Sequence, residues 1–327
     1  MPHILIAGKL HRAGIERLKQ ASGVTFTLVD EVSVESYRPH VAEADAVVLR
    51  TQPMTAEVIA GAPRLKVVSR HGVGYDAVDV KALNARGIPL CIVGDVNSRA
   101  VAEHTLMLML AVARRAAQHD RAAREGQWNV RNRFETVELD GKTLLLVGFG
   151  RIGRRVAELA KAFGMAVTAY DPFVKPDLLA KHGVRPAADL VKALAEADYV
   201  SLHMPGSVAG AVIWEEELRA MKPGAILINA ARGGLVDELA LDAALREGRL
   251  FGAGIDVLAA EPPAPDHPLL SNERVLISPH SAGLTDECAA RMAVSSVQNV
   301  LDFFAGKLDR ALVVNAVEIE AIQTQKR

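Results

Sequence analysis

Short apolar runs alternate along this chain with alanine-rich segments in which apolar residues recur at helical spacing. Helices are predicted, for example, at His11–Ala21 and Asp79–Arg86. Strands that are apolar at nearly every position are buried on both faces, so the pattern predicts parallel sheets covered by helices. The first series of predicted strands comprises Ile4–Ala7, Ala46–Leu49, Lys66–Ser69 and Leu90–Ile92.

A second series of predicted strands begins at Thr143. Six strands with helical crossovers is the number expected for a complete dinucleotide-binding sheet, whereas the first series is shorter and lacks a glycine-rich turn. The chain of 327 residues is also long for one hydrophobic core, so two α/β domains are expected. The second series comprises Thr143–Val147, Ala166–Tyr170, Tyr199–Leu202, Ala225–Asn229, Gly252–Asp256 and Val275–Ser278.

Helical segments and a polar tail complete the pattern. One long helix is predicted over Ser98–Gln127, between the two series, and another from Thr285 to Ala305. The apolar stretch 106–110 lies nearly all round its helix and should be buried on most sides. Val313–Asn315 is expected to return to the first domain, and no element is predicted for the polar tail from Glu318.

Composition and charge argue against several classes of protein. Half of the residues are hydrophobic and the formal net charge is −1, so electrostatic capture of nucleic acid or of an anionic membrane is not expected. Cys91 and Cys288 are far apart and form no CxxC motif, which fits a reducing cytoplasm without a structural metal. The apolar runs Ile4–Ala7 and Thr105–Ala113 are too short for a signal peptide or a membrane span.

A glycine-rich turn, GFGRIG at 148–153, stands between the strand ending at Val147 and a predicted helix over Arg154–Phe163. Such glycines permit a tight turn and close approach of the backbone to a pyrophosphate, which also meets the helix N-terminus. Asp171 ends the next strand, where a carboxylate accepts the ribose hydroxyls of NAD and repels the 2′-phosphate of NADP. The alternative for Asp171 is an ordinary turn aspartate before proline.

Three charged residues follow the ends of successive predicted strands of the second series. Arg232 offers a planar fork for a carboxylate, His280 an acid or base, and Glu261 a carboxylate that orients a histidine. Each has a simpler explanation as a surface ion pair, a solvated loop charge or a histidine bonded to backbone. Their shared placement at the strand ends beside the glycine turn favours an active site for hydride transfer.

Taken together, these motifs resemble the D-isomer-specific 2-hydroxyacid dehydrogenase family, and within it phosphoglycerate dehydrogenases and hydroxypyruvate/glyoxylate reductases. The resemblance covers nearly the whole chain. The segments that carry it are residues 70–76, 97–104, 141–143, the glycine turn, 231–238, 254–257, 261–262 and 278–280.

The resemblance implies a role for each candidate. His280 would be the general acid in ketone reduction and the base in the reverse direction, hydrogen-bonded by Glu261, which favours its protonated form. The substrate-binding residues would be Arg50, Arg70, Val73, Gly74, Asn97, Arg232 and His280. The NAD-binding residues would be Gly148, Gly150, Arg151, Ile152, Gly153, Asp171, His203, Pro205, Ala230, Arg232, Asp256, His280 and Gly283.

The family's architecture implies a discontinuous flavodoxin-like substrate domain, residues 1–97 and 284–327, and an inserted Rossmann domain, residues 98–283, that binds NAD. A homodimer is expected through the Ser98–Gln127 helix and the arm Trp128–Phe134. No regulatory domain follows in this sequence, so serine feedback is not expected. The partners implied are a small 2-hydroxy or 2-keto acid and a second copy of the chain.

Several points stay open. Arg50 and Arg70 match positions that meet a phosphate, or else they form structural ion pairs, so phosphoglycerate, sulfolactate-like acids, hydroxypyruvate and glyoxylate all remain candidates. His71 stands where relatives carry a small residue, and it either contacts substrate or packs beneath the loop. Ser207 would keep one hydroxyl in a loop that is threonine-rich in relatives.

An NAD(H)-sensing corepressor or scaffold protein is the alternative function. The near-zero net charge and the lack of an added interaction segment argue against it. Formate dehydrogenase ranks lower still, because it lacks the acidic partner that Glu261 provides.

Overall fold

A computed structural model describes residues 1–206 and 211–325 of the chain. By contacts between Cα atoms, the chain divides into two compact units, Met1–Asn97 with Leu284–Arg327 and Ser98–Gly283. Ser207, which was expected to keep one hydroxyl in its loop, lies outside the described residues.

The strands and helices alternate along most of the chain. The strands are β1 His3–Ala7, β2 Thr25–Val29, β3 Ala46–Leu49, β4 Val67–Arg70, β5 Leu90–Cys91, β6 Thr143–Val147, β7 Ala166–Tyr170, β8 Arg185–Pro186, β9 Tyr199–Leu202, β10 Ile226–Asn229, β11 Gly252–Ile255 and β12 Val275–Ile277. The helices are α1 Arg12–Lys19, α2 Val34–Tyr37, α3 Ala56–Ala60, α4 Val80–Ala85, α5 Ser98–Ala113, α6 Ala116–Arg124, α7 Arg151–Ala162, α8 Pro176–Lys181, α9 Leu190–Glu196, α10 Glu215–Ala220, α11 Glu238–Arg246, α12 Pro268–Ser271, α13 Asp286–Phe304 and α14 Ala316–Gln325.

In the first unit, five parallel strands form a sheet in the order β2-β1-β3-β4-β5. The strand order reverses between β1 and β3, which is the switch point of a flavodoxin-like sheet. The chain returns to this sheet after α13, because Val314 N–H donates to the carbonyl of Leu90 at 2.9 Å and Asn315 Oδ1 accepts from Leu90 N–H at 2.9 Å. The expected return of Val313–Asn315 is therefore confirmed.

Two elements of this unit were not predicted. The edge strand β2 was not predicted, since Thr25–Val29 is only partly buried and alternates polar and apolar residues. The tail from Glu318 belongs to α14, which contacts α4 and buries Ile319. The buried Ile319 anchors this segment.

In the second unit, seven parallel strands form a sheet in the order β12-β11-β10-β9-β6-β7-β8. The order reverses at β6 and β9, so this sheet is a doubly wound dinucleotide-binding sheet with its switch point beside the glycine turn. The exposed two-residue strand β8 was not predicted. Both units are α/β with parallel sheets, as the sequence predicts.

The predicted helix Ser98–Gln127 is broken into α5 and α6. The break lies at Arg115, whose φ of 48° is left-handed, and its guanidinium carbon lies 4.9 Å from the centre of the Phe251 ring. The apolar stretch is less buried than expected, because Met107 is 42% exposed. Within residues 1–206 and 211–325, no helix is both long and apolar enough to cross a membrane.

Candidate active site

The glycine turn joins β6 to α7 with a geometry that excludes side chains at two positions. Gly148 has a φ of 101°, and a Cβ there would lie 2.6 Å from the carbonyl oxygen of His203. A Cβ at Gly153 would lie 2.5 Å from the carbonyl oxygen of Gly148. Gly150 precedes α7 without a side-chain cap and has no heavy atom within 4 Å of its missing Cβ. The turn thus leaves open space at the free N–H groups of α7, which fits a pyrophosphate.

Asp171 is held at the end of β7 by backbone donors. Its Oδ2 accepts from Phe149 N–H at 2.8 Å, inside the glycine turn, and its Oδ1 accepts from Phe173 N–H at 2.9 Å. The same residue therefore acts as a turn aspartate and stands beside the glycine turn. The structure thus shows the turn aspartate, and the expected contact of Asp171 with the ribose hydroxyls of NAD stays a prediction.

The remaining expected cofactor residues lie along the same sheet edge. Ile152 and Ala230 pack in one small apolar cluster with Val101 and Ala282. Pro205 is exposed, and Arg151 opens α7 with an exposed side chain.

His203 follows β9 and has a buried ring nitrogen. Its Nε2 lies 2.9 Å from the hydroxyl of Ser201, and its Nδ1 is buried without a hydrogen-bond partner in the described chain. Burial lowers the pKa of His203 to about 3, so its ring is neutral. The expected contact of His203 with NAD stays a prediction.

Arg232 lies on a tight turn after β10. The buried Asn229 shapes this turn, since its amide donates to the carbonyl of Arg232 at 2.8 Å and its Oδ1 accepts from Ala231 N–H at 3.1 Å. A Cβ at Gly233 would lie 1.9 Å from the carbonyl oxygen of Leu258. The Arg232 turn therefore packs directly against the backbone that leads to Glu261, and only glycine fits between them.

Glu261 and His280 form a hydrogen-bonded pair. The Nδ1 atom of His280 lies 2.6 Å from Oε2 of Glu261, while Oε1 of Glu261 accepts from Leu258 N–H at 3.0 Å. The side chains of His280 and Glu261 are 49% and 36% exposed, so a ligand can reach the pair. An ionised carboxylate only accepts hydrogen bonds, so the Nδ1 atom of His280 carries a proton. The Nε2 atom is left to exchange a proton with a ligand.

His280 itself has a left-handed backbone, with a φ of 50°. Its N–H donates to the carbonyl of Asp256 at 2.7 Å. The buried Asp256 carboxylate accepts from Ser281 N–H at 2.9 Å and Ala282 N–H at 3.0 Å. Asp256 thus holds the turn that presents His280. An L-residue adopts this conformation only when its surroundings enforce it.

The pKa of Asp256 reflects opposing effects. Burial raises the pKa of Asp256, but hydrogen bonds from His104, Ser278 and two backbone amides outweigh burial and hold it below its usual value. Asp256 is therefore an anion at neutral pH. Its expected contact with NAD stays a prediction.

In the first unit, two expected substrate residues end neighbouring strands. Arg50 follows β3 and donates to the carbonyl of Lys9 at 3.0 Å, and Arg70 ends β4 and donates to the carbonyl of His71 at 3.0 Å. Backbone N–H groups of Val73 and Gly74 donate no hydrogen bond to residues that the structure describes. Asn97 is partly buried. The edge of this sheet thus presents two cations, and the loop after β4 carries two amides that donate to no described residue.

His71 is buried, with 7% of its surface exposed. Burial, and then the charges of Arg50 and Arg70, lower the pKa of His71 to about 4, against smaller opposing effects of the carbonyls of His71 and Ala289. Ala289 belongs to α13, so the ring lies beside that helix. The ring is neutral at neutral pH.

Comparison with known proteins decides the family. Residues 106–282, more than half of the chain, match the family model described as "D-isomer specific 2-hydroxyacid dehydrogenase, NAD binding domain". The chain belongs to this family.

Among curated relatives, a glyoxylate reductase of Korarchaeum cryptofilum is 42% identical, over 84% of this chain and 83% of that protein. A D-3-phosphoglycerate dehydrogenase of Methanocaldococcus jannaschii is 36% identical, over 96% of this chain but only 59% of that protein. The chain thus spans about three fifths of the length of the curated phosphoglycerate dehydrogenase it matches.

A solved family structure shows the same fold. The D-lactate dehydrogenase of Aquifex aeolicus, complexed with NAD and lactic acid, has a TM-score of 0.84 at 29% identity, covering 95% of this chain and 98% of that one.

Sequence reasoning gave no role to several residues that build the site. Asn229 and Gly233 shape the Arg232 turn, and Ser278 and His104 contact Asp256. Glycine directly after Arg232 is the one signal in the sequence that pointed to close packing there.

Proposed function

We propose that this chain is an NAD-dependent oxidoreductase that interconverts a D-2-hydroxy acid and its 2-keto acid. The observation that carries the proposal is the bond of 2.6 Å between His280 Nδ1 and the Glu261 carboxylate, on the sheet edge that also bears the Arg232 turn and the glycine turn. Bound NAD would accept the hydride from carbon 2 of the hydroxy acid, or NADH would return it.

His280 moves the proton. Since Nδ1 donates to Glu261, Nε2 takes the hydroxyl proton during oxidation and returns it to the carbonyl oxygen during reduction. Glu261 fixes the ring orientation and stabilises the imidazolium. Arg232 binds the carboxylate and the carbonyl oxygen with its planar fork, which orients the substrate and stabilises charge on that oxygen.

Residues 98–283 serve as the NAD-binding domain, and residues 1–97 with 284–327 as the substrate domain. Asp171 selects NAD over NADP, because its carboxylate accepts ribose hydroxyls and repels a 2′-phosphate. The NAD contacts are made by Gly148, Gly150, Arg151, Ile152, Gly153, Asp171, His203, Pro205, Ala230, Arg232, Asp256, His280 and Gly283.

The substrate carries a second anionic group. The unbonded amides of Val73 and Gly74 bind its carboxylate, together with Asn97, and the guanidinium groups of Arg50 and Arg70 bind the distal group. Arginine is well suited to this task, since its fork matches phosphate, sulfonate and carboxylate oxygens. Phosphohydroxypyruvate is the probe that represents this class, and glyoxylate lacks the group.

The working form is a homodimer in the cytoplasm. Trp128 is 64% exposed and Phe134 is 89% exposed on the arm that follows α6, and such exposed aromatic residues are typical of an interface. Cys91 and Cys288 are free thiols, which fits a reducing compartment. Light scattering that gives the mass of one chain would contradict the dimer.

The function is tested by oxidation of NADH with hydroxypyruvate, glyoxylate and phosphohydroxypyruvate. We expect turnover by the native chain, and a loss of about 100-fold or more in kcat for His280→Ala, the range of general acid–base catalysis. His40→Ala, at an exposed site, serves as the matched control and should keep full activity. Tight NADH binding without turnover of any 2-keto acid would reject the enzyme and favour an NAD(H) sensor.

A further inference from the structure

A chain of three side chains lies behind the His280 turn. His104, on α5, places its Nε2 atom 2.8 Å from the hydroxyl oxygen of Ser278, and that hydroxyl donates to Asp256 Oδ1 at 2.6 Å. The same Nε2 atom lies 3.4 Å from Asp256 Oδ1. All three residues belong to the second unit.

Counting protons fixes the direction of both bonds. The Asp256 carboxylate is ionised and can only accept, so the single hydroxyl proton of Ser278 points to Asp256. The Ser278 oxygen must then accept from His104, which therefore carries a proton on Nε2. The network has one hydrogen-bond arrangement, and a residue at position 104 without a donor would break it.

The network ends on the turn that holds His280. Asp256 Oδ1 accepts both the Ser278 hydroxyl and Ser281 N–H, and its Oδ2 accepts Ala282 N–H. These bonds fix the backbone on the C-terminal side of His280, whose own N–H donates to the Asp256 carbonyl. The left-handed φ of 50° at His280 is thus enforced from both sides.

We propose that His104 is a positioning residue for the proposed hydride-transfer reaction, acting through Ser278 and Asp256 on the orientation of the His280 ring. This inference rests on the proposed function of His280. It assigns a role to a helix residue that touches neither substrate nor the reacting atoms. A displacement of the acid by about 1 Å can lower a rate by about 100-fold, so a small relaxation of the turn has a measurable effect.

The test compares His104→Phe, His104→Gln and Ser278→Ala in the full-length chain. His104→Phe removes the donor and should lower kcat for hydroxypyruvate by about tenfold, with KM and the NADH dissociation constant changed by less than about twofold. His104→Gln keeps an N–H donor and should recover most of kcat. Because His104 acts through Ser278, the double variant His104→Phe, Ser278→Ala should lose no more activity than the worse single variant.

A readout independent of turnover follows the His280 ring by proton NMR. The Nδ1 proton bonded to Glu261 gives a downfield resonance, which is assigned by its disappearance in His280→Gln. We expect this resonance to shift or broaden in His104→Phe and to be restored in His104→Gln, even if no 2-keto acid is turned over. Additive losses in the double variant, or an unchanged resonance with native kcat in a folded His104→Phe, would overturn the proposal.

Discussion

The carboxyl edges of the two parallel sheets hold their charged side chains in different ways. At the edge of the seven-stranded sheet, His280 is bonded to the carboxylate of Glu261 at 2.6 Å. At the edge of the five-stranded sheet, Arg50 and Arg70 each donate to a backbone carbonyl at 3.0 Å. A coupled acid and base can exchange a proton, whereas guanidinium groups stay charged and can only bind.

The two edges also contain histidines in opposite surroundings. The His280 side chain is 49% exposed beside an acid, while His71 is buried near two cations that help to lower its pKa to about 4. His71 is therefore unsuited to acid–base work at neutral pH. Under the proposed function, the edge of the seven-stranded sheet carries out the chemistry and the edge of the five-stranded sheet binds the substrate.

The largest effect is expected at Arg232. Arg232→Gln should lower kcat/KM for every 2-keto acid by about 100-fold to 1,000-fold, the loss typical of removing a donor to a developing oxyanion. Arg232→Lys should retain part of this activity, since it keeps the charge but loses the fork. Steady-state kinetics measure both, and the exposed Arg219→Gln is the control. A loss of less than tenfold in kcat/KM on every substrate would show that Arg232 takes no part in the chemical step.

Substitutions at the other edge should be selective. Arg50→Gln and Arg70→Gln should each lower kcat/KM for phosphohydroxypyruvate by about 10-fold to 100-fold, the value of a hydrogen bond to a charged group. The same variants should change kcat/KM for glyoxylate by less than about threefold. Equal losses on both substrates would make these arginines structural. Better turnover of lactate by the native chain than of any dianion would reject the recognition role.

A substitution at Asp171 should change the preference for NADH over NADPH by less than the substitutions above change activity. Asp171→Ala should reduce the ratio of kcat/KM with NADH to that with NADPH by about tenfold, because the repulsion of the 2′-phosphate is removed. Asp177→Ala, on the exposed first turn of α8, is the control. A higher kcat/KM with NADPH in the native chain would show that Asp171 does not select NAD.

The smallest effect concerns stability. His71 has a pKa of about 4 in the folded chain against 6.5 for a free histidine, so the unfolded chain binds more protons between these values. This histidine should therefore reduce the free energy of unfolding as the pH falls from 6.5 to 4, by at most about 1.4 kcal/mol per pH unit. The free energy of unfolding of His71→Leu, measured with urea, should depend less steeply on pH than that of the native chain. His40→Leu is the control. An unchanged slope would mean that His71 is not held neutral.

The parts of the fold that the sequence predicts are those with strong local patterns. Mostly buried strands such as Ala46–Leu49 and Thr143–Val147 are predicted to the residue, because apolar runs of this length have few alternatives. The exposed edge strands Thr25–Val29 and Arg185–Pro186 carry no such pattern. The break at Arg115 could not be predicted either, since its left-handed conformation is set by contacts with Phe251 and Glu135 rather than by a glycine.

The candidate site shows the same difference between local patterns, which the sequence displays, and long-range contacts, which it does not. Arg232, Glu261 and His280 are predicted together because parallel strands bring their ends to one edge, and the structure pairs Glu261 with His280. Their catalytic role stays a prediction. Their supports, including the Asn229 amide and the hydroxyl of Ser278, act between segments that are distant in sequence. Contacts of that kind depend on register and side-chain direction, which a single sequence does not display.

The central claim is hydride transfer to carbon 2 of a 2-keto acid at the His280–Glu261 pair, and deuterium transfer tests it most directly. Hydroxypyruvate is reduced with NADH that carries deuterium on both positions of nicotinamide carbon 4, and the product is analysed by chiral chromatography and mass spectrometry. We expect the native chain to form D-glycerate with one deuterium at carbon 2. His280→Ala should form this product about 100-fold or more slowly. L-glycerate, a product without deuterium, or equal labelling by His280→Ala would contradict the account.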